Sequence, residues 1–199
     1  MDPLFPSIFR ALKRARSPIL AVALVYFLAV TTGVVMAHGG SSFALTRRDA
    51  IVNQARSGSV LAQSNAFSMA LADFSANLRG AGGDALAGLG VIFSFPLVAY
   101  RGWVGGIVSV DDDYVSRLLQ AESAAYYLSV IIMQLTGYTF AAGAGINLGL
   151  TLWRKRPEYE GETWLGMPAE ALRDLVRIFA LVIPILFLAS LWEFLSPLN

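Results

Sequence analysis

Residues 17–37 read SPILAVALVYFLAVTTGVVMA and contain no charged side chain. An α-helix rises about 1.5 Å per residue, so a helix of this length covers the roughly 30 Å hydrocarbon core of a bilayer. Basic residues precede the stretch at Arg10, Lys13, Arg14 and Arg16. Under the positive-inside rule they predict a membrane-spanning helix whose N-terminal end lies in the cytoplasm.

A basic start followed by an apolar run is also typical of a secretory signal peptide. This apolar run is longer than the roughly 7–15 residues of a signal core, and VVMAHGG at residues 34–40 is a weak cleavage site. We therefore predict an uncleaved membrane anchor.

The composition of the whole chain agrees with a lipid environment. Of its 199 residues, 56% are hydrophobic and 15% are charged, and the mean hydropathy is +0.58. Soluble domains carry about 25% charged residues, so a soluble enzyme and a disordered chain are both disfavoured. A net charge of +1 predicts no nucleic-acid partner, and the absence of cysteine excludes disulfides and thiolate metal sites. With His38 as the one histidine, we expect no metal site and no cofactor.

The distribution of apolar segments predicts the fold class. We expect an all-α, polytopic integral membrane helical bundle with broken or re-entrant helices and one amphipathic interfacial helix, forming a single membrane domain. The predicted spans are 17–37, 84–100 with a re-entrant segment at 102–118, 119–153 and 175–195, and the amphipathic helix covers 60–79.

The amphipathic helix is predicted from apolar residues that recur at spacings of four, three and four, at Phe67, Leu71, Phe74 and Leu78. Its other faces are polar, so it is too polar to span a membrane alone. We interpret it as a helix packed on the outer ends of the spans; the alternative is a docking surface for a partner.

The charges that flank the spans predict the topology. Four simple crossings would put the basic run at 154–156 outside the cell, against the positive-inside rule. A chain reversal at Arg101–Gly102 removes the conflict and leaves the aspartates at 111–113 outside, as a solvated cap. Re-entrant backbone of this kind requires surrounding protein.

Two pairs of glycines lie four residues apart in the later spans, Gly102 with Gly106 and Gly145 with Gly149. This spacing places both members of a pair on one helix face, where another backbone can approach closely. We favour helix packing within the monomer over association between subunits.

Several polar residues fall in or beside the apolar segments. An arginine such as Arg101 costs about 2.5–3.5 kcal/mol at the bilayer centre, so it lies either at an interface or beside a buried acid. Gln134 can form hydrogen bonds between helices, and Glu193 lies beside the interfacial Trp192. No catalytic motif is recognisable in the sequence.

The later part of the chain resembles the stage II sporulation protein M family. The resemblance rests on Asn77, Gly88, Pro96, the RGWVGG segment at 101–106, the AGAGINLG segment at 142–149, and Glu193 followed by Pro197. Two positions depart from the family pattern: Arg101 stands where an asparagine is usual, and Gln134 replaces a glutamate that follows a Pro-His-Gly motif. The resemblance implies a multi-pass membrane protein, similar in spore formers to the membrane anchor of a complex with peptidoglycan-degrading enzymes.

We expect a non-enzymatic scaffold or accessory subunit in the cytoplasmic (inner) membrane of a prokaryote. Its expected partners are the lipid bilayer and a membrane protein or a second copy of the chain. A small transporter or channel with a polar site around Arg101 and Gln134 is the alternative, because interrupted helices build such sites. An intramembrane enzyme that uses Glu193 or Asp73 is the third hypothesis.

Overall fold

Helices form most of the protein in the computed structural model, which describes residues 4–60 and 65–197. Within these residues lie six α-helices: α1 (Leu4–His38), α2 (Ser42–Val60), α3 (Ala66–Gly88), α4 (Ser94–Ile107), α5 (Ala121–Trp153) and α6 (Ala169–Leu195). The remaining regular structure is two 3-10 turns, Val91–Phe93 and Pro157–Tyr159, and a small hairpin of β1 (Thr163–Trp164) and β2 (Met167–Pro168). The predicted all-α class is confirmed.

Three of the helices are long and apolar enough to cross a membrane, and they carry the first and the last two predicted spans. These segments are Phe5–His38, Ala121–Trp153 and Ala169–Leu195. By length and composition the chain is therefore a membrane protein.

Contacts between distant residues define the two ends of the bundle. At the basic end, Arg14 near the start of α1 contacts Asp174 near the start of α6, and Arg156 after α5 contacts Asn147. At the opposite end, which we call the loop end, His38 contacts Ser116. Consequently α1 and α6 run from the basic end to the loop end, and α5 runs back.

Helices α3 and α4 form a hairpin inside the bundle. The end of α3 lies near the basic end, because Gly88 packs directly against Gly145. The chain reverses at residues 89–93, where Val91 has a φ of +53°, and α4 returns until Gly106 packs against Val30 of α1. The hairpin therefore starts and finishes at the loop end.

The predicted reversal at Arg101–Gly102 does not occur there, because α4 continues through both residues. Arg101 needs no membrane interface, since it pairs with an acid on α3. Pro96 lies in the first turn of α4, where its missing N–H removes no helical hydrogen bond. The break therefore precedes Pro96 by a few residues, and 102–118 is the end of α4 followed by a turn-rich loop.

The predicted amphipathic helix at 60–79 also has different bounds. Residues 61–64 lie outside the described residues, and α3 covers 66–88. This helix packs along α5 and α6 for much of its length, as the contact of Asp73 with Ser190 of α6 shows. Its polar face meets polar side chains of other helices, so that face does not require water.

The interior of the bundle is filled by apolar side chains from α1, α4, α5 and α6. Its larger buried members are Val22, Tyr26, Val98, Tyr138, Ile178, Val182 and Leu186. In lipid, close van der Waals contact between helices replaces much of the hydrophobic driving force available in water. The glycines that let the backbones approach closely are therefore central to this fold.

Candidate functional site

Arg101 forms an ion pair with Asp84 across the α3–α4 hairpin. Among the residues of the apolar segments, Arg101 has the largest expected free-energy cost of insertion into a bilayer. Arg101 Nη2 donates to Asp84 Oδ1 over 3.2 Å, and Arg101 Nε lies 3.2 Å from Asp84 Oδ2. The Asp84 side chain is only 2% exposed. The guanidinium carbon of Arg101 also lies 4.1 Å from the centroid of the Tyr138 ring. A carboxylate and an aromatic face thus replace the hydration that Arg101 loses.

A chain of hydrogen bonds continues from Tyr138 along α3. The Tyr138 hydroxyl donates to Asn77 Oδ1 over 2.6 Å, and Asn77 Nδ2 donates to Asp73 Oδ2 over 2.7 Å. Ser190 Oγ of α6 donates to the same Asp73 oxygen over 2.7 Å. Asp73, Asn77 and Asp84 are four and seven residues apart, so all three fall on one face of α3.

Gln134 and Glu193 form a second pair of interacting side chains, between α5 and α6. Gln134 Nε2 donates to Glu193 Oε2 over 2.6 Å, and the Tyr126 hydroxyl donates to the Glu193 backbone carbonyl over 2.6 Å. Ser190 lies one turn before Glu193 on α6, which brings this pair next to Asp73. We call the combined set the polar network: Asp73, Asn77, Asp84, Arg101, Gln134, Tyr138, Ser190 and Glu193.

The sequence indicated only part of this network. The transporter alternative grouped Arg101 with Gln134, whereas Asn77 and Glu193 were predicted separately; the structure pairs Arg101 with Asp84, Gln134 with Glu193 and Asn77 with Tyr138. The available signal was the four-residue spacing of Asp73 and Asn77 on α3, which the sequence interpretation assigned to an amphipathic helix packed on the outer ends of the spans.

The four predicted glycines all lie at close contacts between helices of the same chain. A Cβ on Gly102 would lie 3.0 Å from Ala29 Cβ of α1. A Cβ on Gly106 would collide with the Val30 carbonyl oxygen of α1. On α5, a Cβ on Gly145 would collide with the Ala85 carbonyl oxygen and one on Gly149 with the Gly88 carbonyl oxygen. Both glycine pairs are therefore used for packing within the monomer.

A second group of polar contacts, which sequence reasoning missed, closes the basic end. The carboxylate of Asp174 is 1% exposed and accepts from Arg14 Nε over 2.6 Å and from Arg177 Nη1 over 2.9 Å. The Tyr159 hydroxyl donates to Asp174 Oδ2 over 3.0 Å and accepts from Asn147 Nδ2 over 2.7 Å. Burial raises the pKa of Tyr159 to about 12. These contacts hold the segment between α5 and α6 against α1.

Charged residues also connect α2 with the loop that contains the aspartates. The buried guanidinium of Arg48 donates to Asp112 over 2.7 Å and to Asp49 over 3.1 Å. A hydrogen bond from the Tyr114 hydroxyl, together with Arg48, lowers the pKa of Asp49. Asp111 accepts the backbone N–H of Asp113 over 3.0 Å, which stabilises the turn. The aspartates thus organise the loop end as well as capping it.

Metal ligation finds little support in the described part of the chain. Within residues 4–60 and 65–197, no group of three or more His, Cys, Asp or Glu side chains is arranged to hold an ion. The carboxylates of the polar network instead accept hydrogen bonds from neighbouring side chains.

A groove runs between α3 and α6 in the half of the bundle near the basic end. Its volume is about 630 Å³ and its walls are almost entirely apolar. A Cβ added to Gly82 would meet no atom within 4 Å, so this glycine has no close helix neighbour. We call this the apolar groove; its walls include Gly82, Ala85, Leu86, Leu175, Phe179, Ala180 and Ile183.

The polar network, both glycine pairs and the apolar groove all lie in the region matched by a family model described as Stage II sporulation protein M, which spans residues 22–197. The chain belongs to the stage II sporulation protein M family. The family that the motifs suggested is therefore confirmed over most of the chain. No curated protein and no solved structure matches the chain with statistical significance.

Proposed function

We propose that this member of the stage II sporulation protein M family is a non-enzymatic, multi-pass scaffold or accessory subunit of a larger membrane complex. It would lie in the cytoplasmic membrane of a prokaryote with the N-terminal end of α1 in the cytoplasm. The cluster Arg10, Lys13, Arg14 and Arg16 supports this orientation, because basic residues remain on the cytoplasmic side.

The apolar groove is the observation that carries the proposal. Small residues in membrane helices mark places where another helix packs closely. Gly102, Gly106, Gly145 and Gly149 are already covered by helices of this chain, whereas Gly82 faces open space. Ala85 and Ala180 lie on the same groove walls, so a helix of a partner protein could approach both α3 and α6.

The polar network supports a structural role in preference to catalysis. Asp73 accepts hydrogen bonds from Asn77 and Ser190, and Glu193 accepts one from Gln134. Carboxylates engaged in this way stabilise contacts between helices, as interhelical hydrogen bonds do in other membrane proteins.

A transporter or channel is the second candidate, because the polar network brings Arg101 and Gln134 into one region of the bundle. A transported ion or solute would have to break the contacts of Tyr138 and Asn77 between them. Purified protein in sealed vesicles tests this directly: a proton, cation or anion flux that Gln134→Leu abolishes would support transport and would argue against a purely structural network.

The scaffold proposal is tested by site-specific cross-linking in native membranes. The chain contains no cysteine, so Gly82→Cys introduces a single thiol into the groove. Gly83→Cys is the matched control, because Gly83 is also open to a Cβ but does not line the groove. Each variant is labelled with a thiol-reactive photo-cross-linker, irradiated, and analysed by mass spectrometry.

We expect Gly82→Cys to give a discrete protein adduct, with another membrane protein or with a second copy, that Gly83→Cys does not give. Gly82→Leu fills the groove and should reduce the same adduct when the cross-linker is placed at Ala180→Cys. Adducts with lipid alone from both positions would contradict the proposal.

A further inference from the structure

A basic pocket between α1 and the end of α5 is separate from the polar network and the apolar groove. It has a volume of about 370 Å³ and lies at the basic end of the bundle. Its charged and polar lining consists of Arg14, Ser17, Arg154, Lys155, Arg156 and Glu158. Four cations thus face one carboxylate.

A proline in α1 fixes the shape of this pocket. Pro18 has no N–H, so the carbonyl of Arg14, four residues earlier, lacks its helical hydrogen bond. Arg156 Nη2 donates to that carbonyl over 3.4 Å, and Arg156 Nη1 donates to Asn147 Oδ1 over 2.6 Å. The segment that follows α5 is thereby held against α1, and the pocket forms between them.

The cations of the pocket fall into two classes. Arg14 is neutralised by Asp174 and Glu170, and Arg156 lies 3.4 Å from Glu158. Arg154 and Lys155 are exposed, and within residues 4–60 and 65–197 no carboxylate lies within ion-pair distance of either. The pocket therefore has an excess of positive charge at its mouth.

The position of the pocket along the helices indicates the source of its ligand. Ser17 and Pro18 begin the uncharged stretch that crosses the hydrocarbon core, and Leu150 adds an apolar wall. Trp153, which is 76% exposed, directly precedes Arg154 in the chain, and tryptophans are common at the level of lipid headgroups. A ligand here meets cations on the aqueous side and apolar surface on the membrane side.

We propose that this pocket binds the phosphate headgroup of an anionic phospholipid, with Arg154 and Lys155 contacting the phosphate. Arg14 and Arg156 position the segment, and the acyl chains follow the apolar surface beside Leu150. Basic pockets between membrane helices are suited to such headgroups, because phosphate oxygens accept several charge-assisted hydrogen bonds.

The experiment compares lipid binding by the full-length protein and two charge-matched variants. Delipidated protein in a zwitterionic detergent is titrated with phosphatidylglycerol or phosphatidylcholine of the same chain length, and bound lipid is counted by native mass spectrometry. The pocket variant is Arg154→Gln/Lys155→Gln. The control is Lys13→Gln/Arg16→Gln, which removes the same charge from exposed positions at the same end of α1, outside the pocket.

We expect the wild-type protein to bind one phosphatidylglycerol in preference to phosphatidylcholine. Each cation contributes about 1 kcal/mol to the binding of an anionic headgroup, so the loss of two should lower the affinity of the pocket variant for phosphatidylglycerol about thirtyfold. The control should change this affinity less than threefold. Arg154→Lys keeps the positive charge and should retain binding. Retained binding would show that a substitution at residue 154 does not by itself disrupt the fold.

Three outcomes would overturn the proposal. One is equal loss of phosphatidylglycerol in the pocket variant and the control, which would indicate general electrostatic attraction. Another is equal binding of the two lipids. The third is complete displacement of phosphatidylglycerol by millimolar inorganic phosphate or glycerol 3-phosphate, which would make a free phosphate compound the ligand.

Discussion

Asp84 of α3 and Arg101 of α4 form an ion pair that joins the two arms of an internal helical hairpin. The partners are 17 residues apart in sequence, and the reversal at 89–93 lies between them. Because Asp84 is almost completely buried, its charge depends on the Arg101 guanidinium for compensation. The reversal therefore brings the two charges together, and the ion pair in turn stabilises the packing of α3 against α4.

The first prediction concerns this ion pair. Asp84→Asn leaves the Arg101 charge without a counter-charge, and we expect the free energy of unfolding to fall by about 3 kcal/mol. This is the lower end of the range for buried pairs, because the Arg101 side chain is 33% exposed. Arg101→Met should have a similar effect by leaving Asp84 unpaired.

A double-mutant cycle in mixed detergent micelles measures the coupling. Asp84→Asn combined with Arg101→Met removes both charges. The double variant should therefore lose clearly less free energy of unfolding than the sum of the losses of the two single variants. Additive losses would show that the two side chains act independently.

The second prediction concerns the contact between α3 and α5. Gly145→Ala places a methyl group against the Ala85 carbonyl, so the two helices must separate, and we expect destabilisation by about 1–3 kcal/mol. Gly82→Ala is the matched control: nothing lies within 4 Å of its Cβ, and alanine favours the helix by up to about 1 kcal/mol. Thermal unfolding in detergent measures both, and equal effects would contradict the packing described.

The third prediction concerns the Tyr159 hydroxyl, which holds the loop between α5 and α6. Tyr159→Phe removes its hydrogen bonds with Asp174 and Asn147, and we expect a loss of about 1–3 kcal/mol together with faster tryptic cleavage within 154–156. Cleavage at an unchanged rate would show that the hydroxyl does not hold this segment.

The same tyrosine predicts a pH dependence. Its pKa is about 12 in the folded protein and about 10 in an unfolded chain, so the folded state retains the proton longer. The contribution of Tyr159 to the free energy of unfolding should be complete below about pH 10 and should decrease as the pH rises to about 12. The difference in stability between the wild type and Tyr159→Phe should narrow over that interval; a constant difference would contradict the assignment.

The sequence predicted the membrane-spanning helices α1, α5 and α6 because long, mostly apolar stretches have few other structural solutions. It also indicated Gly102, Gly106, Gly145 and Gly149 as packing positions, since four-residue spacing places such pairs on one helix face. What it interpreted differently is α3, which it predicted as an amphipathic helix on the outer ends of the spans. Hydropathy scores Asp73 and Asn77 as unfavourable in a membrane and contains no information about their partners Ser190 and Tyr138, which lie far away in sequence.

The position of the chain reversal was partly accessible from local signals. Gly88 precedes the actual break and Gly90 lies within it, and Pro96 follows at a position typical of a first helical turn. The sequence interpretation instead placed the reversal at Arg101–Gly102, so that the basic run at 154–156 would remain in the cytoplasm. Only the three-dimensional structure shows Asp84 beside Arg101.

The sidedness of the bundle is the most direct test of the account. Asp113→Cys lies in the loop at the loop end and Glu160→Cys in the segment at the basic end, and the chain has no other thiol. In intact cells, a membrane-impermeant maleimide should label Asp113→Cys and reach Glu160→Cys only after permeabilisation. Labelling of Glu160→Cys in intact cells, or of both positions from the same side, would contradict the proposed arrangement.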